Sequence, residues 1–276
     1  MIRSTLRLFP ALLILALAGA ACDVNIGEHG FSMDLASGKA QNEWTKTYTV
    51  SAGGQLEIIN VNGTINASPA AGGQVEVRAE RIAKASSDEA AQELLKKIEI
   101  AETASADRVR LETKAPRQQF GRSGHEVRYF VKVPKGLAVN FETVNGGVRL
   151  ENLDGRVVAS TTNGGVRGSG LKGEVKASTT NGGVEITMAA VTGEVDLETT
   201  NGGIRLQLPR DVKANVEARC TNGGIGVEDG WDAFETTEKT RRRVSGTLNG
   251  GGPRVSAETT NGGIRISATR GNAETD

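Results

Sequence analysis

The chain has 276 residues, and its 33 lysines and arginines balance its 33 aspartates and glutamates. This balance leaves no basic footprint for nucleic acid, so we predict that nucleic acids are not partners. Aromatic residues make up 4% of the chain and there are two histidines and two cysteines, which argues against a transition-metal site and against a platform of rings on which sugars stack.

Residues 1–21 are predicted to be a signal peptide. Arg3 and Arg7 supply its positive start, and residues 8–21 are apolar. The apolar run is shorter than the roughly 20 residues that a membrane-spanning helix needs, and small residues lead to Cys22. We therefore expect the protein to be exported.

Cys22 resembles the cysteine at which bacterial lipoproteins are cleaved and acylated on sulfur. The resemblance implies lipid attachment at Cys22 and a membrane partner through that anchor, on the periplasmic or cell-surface side. One position departs from the pattern, because Gly19 stands three residues before the cysteine where leucine is usual. Ordinary cleavage after Ala20, which would release a free secreted protein, is the alternative.

The segment before the regular repeats is predicted to combine a tether, strands and one helix. Residues 22–43 are polar and are predicted to hold the folded body off the membrane. Ser86 to Glu89 form a capping box, and the apolar pattern that follows predicts a helix over residues 86–98. We expect this helix to cover an end or side of the first turns of a solenoid, formed by residues 44–135. Strands are predicted at residues 47–50, 56–61, 75–80, 109–113 and 127–133.

Residues 136–268 contain a repeated motif, Thr-Thr-Asn-Gly-Gly, with small variations. Intervals of 18, 18, 20 and 21 residues separate its first five asparagines, which is the spacing of a coil and not of a globular active site. Asn and Gly accept positive φ at low cost, which would let the motif turn the chain sharply. We interpret the asparagines as structural corner residues, without a catalytic role, whose amides bond from turn to turn. They are Asn145, Asn163, Asn181, Asn201, Asn222 and Asn261.

Alternating apolar and polar residues lie on both sides of each motif. In one turn Val195, Leu197 and Thr199 are predicted to point inward, and Cys220 takes the place of that threonine in the next turn, as a small buried residue. The sequence therefore predicts an all-β fold, a single-stranded β-solenoid (β-helix) with 18–21 residues per turn and one short capping helix. Residues 269–276 are predicted to be a polar tail.

The order of motifs resembles a bacterial family. A Val-Asn-Gly at Asn62, a Glu-Val-Arg strand at residues 76–78, the helix Ala-Gln-Glu-Leu-Leu-Lys-Lys-Ile and a strand ending Val-Lys-Val-Pro-Lys-Gly precede the repeats. This order, over residues 44–268, is similar to the family of candidate adhesins built from β-strand repeats, whose function is unknown. The resemblance implies a β-helix at the cell envelope with no established enzymatic activity.

No catalytic residue, cofactor or metal site is predicted. Asp196 and Glu198 lie two apart on one strand. Glu217 and Arg219 are expected to face them from the next turn, which favours a salt-bridged surface over a catalytic carboxylate pair. A carbohydrate-active enzyme on a β-helix is the alternative function. A third is an ice-binding protein, which would need a flat, outward Thr-X-Thr face, whereas the first threonine of each motif is predicted to point inward and the second to lie at a corner.

The outward position after each motif is mainly basic. Arginines occupy it in four turns, whereas Glu185 and Gly226 occupy it in two others. We call the four arginines the basic column and predict that they bind anions, because guanidinium groups repeated at strand spacing suit phosphate or carboxylate groups. Solvation of the sheet is the alternative. The basic column is Arg149, Arg167, Arg205 and Arg265.

These features predict a non-enzymatic, lipid-anchored protein of the cell envelope with a structural or adhesin-like interaction role. Its partner is predicted to be an anionic envelope polysaccharide, another anionic polymer or a protein. An insertion between repeats contains Trp231, Phe234 and the run Arg241, Arg242 and Arg243. We interpret the arginine run as a loop, with a basic patch as the alternative.

Overall fold

The structure, a computed structural model, describes residues 24–27, 30–33, 38–116, 123–228 and 230–269. The predicted signal peptide, the acylation site at Cys22 and all but the first residue of the predicted tail lie outside the described residues. Within the described ranges, no helix has the length and hydropathy of a membrane span.

The described part of the chain contains twenty-three strands and one helix, joined by turns and loops, so the predicted all-β solenoid is confirmed. In chain order they are β1 Val24–Gly27, β2 Gly30–Met33, β3 Gly38–Thr49, β4 Gln55–Ile59, β5 Ile65–Pro69, β6 Gln74–Ala85, α1 Asp88–Lys96, β7 Glu99–Ala104, β8 Arg108–Lys114, β9 Gly124–Val133, β10 Ala138–Asn145, β11 Val148–Glu151, β12 Val157–Asn163, β13 Val166–Lys172, β14 Val175–Asn181, β15 Val184–Ala190, β16 Val195–Asn201, β17 Ile204–Leu208, β18 Ala214–Asn222, β19 Ile225–Val227, β20 Phe234–Lys239, β21 Arg243–Leu248, β22 Arg254–Asn261 and β23 Ile264–Ala268.

Two long sheets form the body of the molecule. One has 11 strands in the order β20-β21-β18-β22-β16-β14-β12-β10-β4-β8-β7, and the other has 10 in the order β19-β23-β17-β15-β13-β11-β5-β9-β6-β3. Each turn contributes one strand to each sheet, with the corner motif between them. We call such a pair of strands a rung. The strands of stacked rungs run parallel, with each motif asparagine in register with the next.

Rungs do not stack in chain order at either end of the solenoid. The first rung, β4 and β5, lies between the rung of β8 and β9 and the rung of β10 and β11. The last rung, β22 and β23, lies between the rung of β16 and β17 and the rung of β18 and β19. The expectation that β18 faces β16 is therefore wrong. Because β21 pairs antiparallel with one side of β18, only its other side is open to a parallel strand, and the returning chain fills that gap.

The inward side chains of both sheets form one hydrophobic cluster. The inward positions predicted from alternation, such as Val195 and Leu197, are fully buried, as is Phe141. Small and β-branched residues dominate because two closely facing sheets leave little room, and regular alternation is what places them inside. Cys220 is also buried and is a free thiol.

Antiparallel strands cover both ends of the solenoid. At one end β7 pairs with β8, and β6 and β3 extend the other sheet beyond β9. At the other end the insertion forms the hairpin of β20 and β21, with Trp231 and Phe234 packed on the core. Arg241 and Arg242 lie in the turn of this hairpin, as expected of a loop, whereas Arg243 begins β21. The two strands were not predicted, because Gly246, Thr247 and Leu248 pair with Val216, Asn215 and Ala214 of an earlier rung, and this contact leaves no local pattern in the sequence.

Two predicted segments differ from the structure. The tether predicted over residues 22–43 contains the hairpin of β1 and β2, and β3 already begins at Gly38, where it pairs with Ala85. The helix is shorter than residues 86–98. It begins after Ser87, whose Oγ accepts from the Ala90 amide at 3.2 Å, and it gives way at Lys97 so that Ile98 enters the core. Its buried Ala91 packs against Ala40 and Ala85, at the end of the 10-stranded sheet.

Candidate functional site

The corner asparagines form one hydrogen-bonded ladder. In each step the side-chain Nδ2 donates to the Oδ1 of the asparagine one rung away, at 2.8–3.0 Å. At one end the ladder continues to Asn62, whose Nδ2 lies 3.2 Å from Nε2 of His125. Burial lowers the pKa of His125, so the neutral ring can accept this hydrogen bond. In spatial order the ladder is Asn62, Asn145, Asn163, Asn181, Asn201, Asn261 and Asn222.

The rest of the motif is explained by close contact between rungs. The first threonine is buried, and Thr179 Oγ1, for example, donates to the carbonyl of Gly164 at 2.8 Å. A Cβ on Gly182 would lie 1.9 Å from that same carbonyl oxygen. The prediction of positive φ at the motif holds for four of its first glycines, Gly164, Gly182, Gly223 and Gly262, whose φ lies at 157–159°. It is wrong for the asparagines, because Asn152 and Asn249, outside the six motifs, are the described non-glycine residues with positive φ. Close approach of neighbouring backbones is what all of the first glycines share, since a Cβ on Gly202, which is not among those four, would lie 1.8 Å from the Gly182 carbonyl oxygen.

A continuous furrow runs along the outer face of the 10-stranded sheet. It consists of three depressions of about 480, 300 and 640 Å³. Arg149 and Glu151 line both the first and the second, and Arg167 and Glu185 line both the second and the third. We call the whole feature the furrow. The second glycine of several motifs, such as Gly183 and Gly203, lies on its floor.

The structure brings all four residues of the basic column into this furrow. Arg149 pairs in register with Arg167, which is followed by Glu185, Arg205 and Arg265 on successive strands. The sequence order placed Gly226 between the last two arginines. Instead the insertion of β23 puts Arg265 directly beside Arg205, with Gly226 outermost.

Carboxylates neutralise two of the four arginines. Arg167 Nε lies 3.6 Å from Glu185 Oε2, and Arg265 Nε lies 3.3 Å from Glu228 Oε1. Within the described residues, Arg149 and Arg205 have no ion-pair partner. Since these side chains are exposed, each pair contributes at most about 1 kcal/mol, and a bound anion would compete for the guanidinium groups.

The depression at the β6 end of the furrow, which we call the trough, is lined by basic, acidic, neutral polar and aromatic side chains. The short side chains of Asn66 and Ser68 form its floor, between taller residues of β9 and β11. Lys132 Nζ donates to Ser68 Oγ at 2.9 Å on one wall, and Arg149 stands on the other. Phe130 is half-buried there, with the Arg78 guanidinium 4.0 Å from its ring centroid.

Two carboxylates also line the trough, Glu76 and Glu151. In the described part of the chain neither forms an ion pair. Phe130, Lys132, Asn66 and Glu76 were missed by sequence reasoning, because they belong to irregular early strands that the motif does not align. The signals available were the alternations within residues 75–80 and 127–133, which contain Glu76, Phe130 and Lys132 but not Asn66.

The carboxylates weighed as an enzymatic pair lie on the opposite sheet. Asp196 forms an ion pair with Lys176 at 3.2 Å. The strand β22, with Ser256 and Glu258, lies between the strand of Asp196 and Glu198 and the strand of Glu217 and Arg219. The expected contact across that turn is therefore wrong, since β22 intervenes. Glu217 instead bonds to Arg219 and lies 3.5 Å from Arg254. No group of three metal-binding side chains occurs among the residues described.

Solved structures from several bacteria match the chain. A candidate cell adhesion protein of Clostridium sporogenes is 15% identical, with a TM-score of 0.50, and the match covers 83% of this chain and 100% of that one. A candidate adhesin of Bacteroides fragilis is 11% identical, with a TM-score of 0.38 and coverage of 83% and 97%. A candidate lipid-binding protein of Parabacteroides distasonis is also 11% identical, with a TM-score of 0.29 and the same coverage. At such identities the likeness to the first shows the fold alone.

None of the curated proteins matches the chain. A family model does match, Toastrack DUF4097, over residues 32–267. This range contains the helix, both end caps and all the rungs except the last residue of β23. The chain therefore belongs to the Toastrack DUF4097 family.

Proposed function

We propose that the protein is a non-enzymatic interaction module of the cell envelope whose basic column binds an anionic envelope polymer. The observation that carries this proposal is the line of four arginines in one furrow, with Arg205 and Arg265 on adjacent strands. Neighbouring strands lie about 4.8 Å apart, so a linear ligand along the solenoid axis meets a guanidinium group at most steps. Guanidinium groups bind carboxylate and phosphate oxygens through paired hydrogen bonds.

Two features support a binding role over catalysis. The furrow is long and open, whereas acid–base catalysis needs a pair of carboxylates held at a fixed separation around the reacting bond. The nearest candidates for that role, Asp196 and Glu198, lie on the other sheet, and Asp196 forms an ion pair with Lys176. A protein with an acidic surface is the second candidate partner for the basic column.

The binding proposal is tested by replacing all four residues of the basic column with glutamine. The affinity of this variant for isolated envelope material is expected to be at least tenfold lower than that of the wild type. Binding of the wild type should weaken as the salt concentration rises, because exposed charges are screened within about 10 Å at 0.1 M. Pull-down at two salt concentrations measures both effects. Melting temperature and circular dichroism should match the wild type.

A matched control removes four positive charges from the 11-stranded sheet. Lys114, Lys176 and Arg219 lie on strands of that sheet and Arg156 directly precedes β12; all four are exposed, so their replacement by glutamine changes the net charge equally. This control is expected to bind like the wild type. If both quadruple variants lose affinity equally, or neither does, the furrow is not the binding surface.

Membrane attachment is a separate part of the proposal and rests on Cys22. Cys22→Ser is expected to abolish incorporation of a palmitate analogue during growth, because the acylated sulfur is lost. Cys220→Thr is the control, since threonine occupies that position in neighbouring rungs and the thiol is buried. Labelling of the Cys22→Ser protein at the wild-type level would disprove attachment at this residue.

A further inference from the structure

We infer that the polymer held in the furrow is an acidic polysaccharide, recognised through both its carboxylates and its hydroxyl groups. This inference rests on the proposed function and narrows it to one chemical class. Its basis is the mixture of charges in the furrow, which a simple polyanion does not match.

Acidic side chains are interspersed among the basic ones along the furrow. Glu76 and Glu151 line the trough, and Glu185 interrupts the basic column. A polyphosphate carries charge at every unit and has no hydroxyl groups to donate, so each of these carboxylates would repel it. A polymer of acidic sugars presents one carboxylate per unit together with several hydroxyls, and ionised carboxylates are strong acceptors for hydroxyl donors.

The trough provides the partners that one such sugar unit needs. Lys132 and Arg149 stand on opposite sides of β5, and neither forms an ion pair within the residues described, so either is available to a sugar carboxylate. Glu76 and Glu151 are available to accept from hydroxyls for the same reason. Asn66 Nδ2 is held by Thr64 Oγ1 at 3.2 Å and by the Tyr129 carbonyl at 3.4 Å, which leaves its Oδ1 as an additional acceptor on the floor.

Phe130 adds an apolar wall to this polar set. Arg78 covers one face of its ring, so the trough offers a single aromatic contact and not a platform of stacked rings. Specificity therefore depends mainly on polar groups, in agreement with the low aromatic content of the chain. The furrow crosses the 10-stranded sheet over roughly 40 Å, given a strand spacing of about 4.8 Å, so it suits an extended chain and not a single sugar.

The decisive experiment measures the effect of removing the two trough carboxylates on two different polymers. The full-length protein is assayed by biolayer interferometry against polygalacturonate, polyphosphate of matched charge and neutral dextran. The wild type is expected to bind polygalacturonate at least tenfold more tightly than polyphosphate and to leave dextran unbound. In the double variant Glu76→Ala, Glu151→Ala, binding of polygalacturonate should weaken severalfold, whereas binding of polyphosphate should become tighter.

Changes of opposite sign in the two affinities indicate hydroxyl recognition. A purely electrostatic surface would bind both polyanions more tightly after the two carboxylates are removed. If both tighten, or if the wild type prefers polyphosphate, the inference is wrong while the proposed function stands. If the wild type binds neither polyanion, the proposed function itself fails.

A second variant tests whether the trough takes part at all. Lys132→Gln is expected to lower affinity for polygalacturonate about tenfold, and Lys114→Gln, which removes the same charge from the opposite sheet, should leave it unchanged. Equal affinities of the Lys132→Gln protein and the wild type would remove the trough from the site, even where the four-arginine variant has lost binding.

Discussion

Gly182→Ala is expected to destabilise the protein by about 3 kcal/mol or more, because overpacking against a rigid backbone cannot be relieved by a side-chain rotation. The new Cβ would lie 1.9 Å from the Gly164 carbonyl oxygen, which also accepts the hydroxyl of Thr179. Relief requires neighbouring rungs to separate, which stretches the parallel hydrogen bonds on both sides of the corner. Urea unfolding followed by circular dichroism measures the change.

The neighbouring glycine provides the matched control. A Cβ on Gly183 would lie 3.4 Å from the Gly203 carbonyl oxygen, which is an ordinary contact. Gly183→Ala is therefore expected to change the stability by less than about 1 kcal/mol. Similar unfolding midpoints for the two alanine variants would refute the account of the motif as a close contact between rungs.

Val195→Asp is expected to cost about 3 to 5 kcal/mol, the usual penalty for an uncompensated buried charge. Val195 is fully buried, and its neighbours in register are Val175 and Val255, so a carboxylate there has no partner. Arg205→Asp, on the outward face of the next strand, should change stability by no more than about 0.5 kcal/mol. Thermal melting of the two variants compares them, and equal melting temperatures would contradict the assignment of inward and outward positions.

The repeated half of the fold was predictable because one pattern recurs at fixed spacing. Alternation identified Val195, Leu197 and Thr199 as inward positions, and the structure buries all three. The stacking order was not predictable, since every rung presents the same pattern. Thr199 of β16 would pack equally well beside Cys220 of β18 or beside Thr259 of β22. The pairing of β16 with β22 is decided by the antiparallel strand β21, which occupies the far side of β18.

The candidate site was predictable only where it coincides with the repeat. The basic column follows directly from the outward position after each motif. The trough does not, because Lys132 meets Ser68 through the pairing of β9 with β5, and 64 residues separate the two in the chain. The motif glycines show another limit, since their position was clear from the sequence but the contact that requires them lies in a different rung.

The inserted last rung constrains the order in which the protein can fold. Most solenoids nucleate in one repeat and grow by adding the next, so the leading end can become structured while synthesis or export continues. Here β18 and β19, with the hairpin that covers them, have no rung to stack on until β22 and β23 arrive. Closing this gap joins strands across an intervening segment, and such non-local pairing is slow compared with local growth. Residues 214–268 should therefore fold as one late, cooperative unit, after the turns from β10 to β17 have formed.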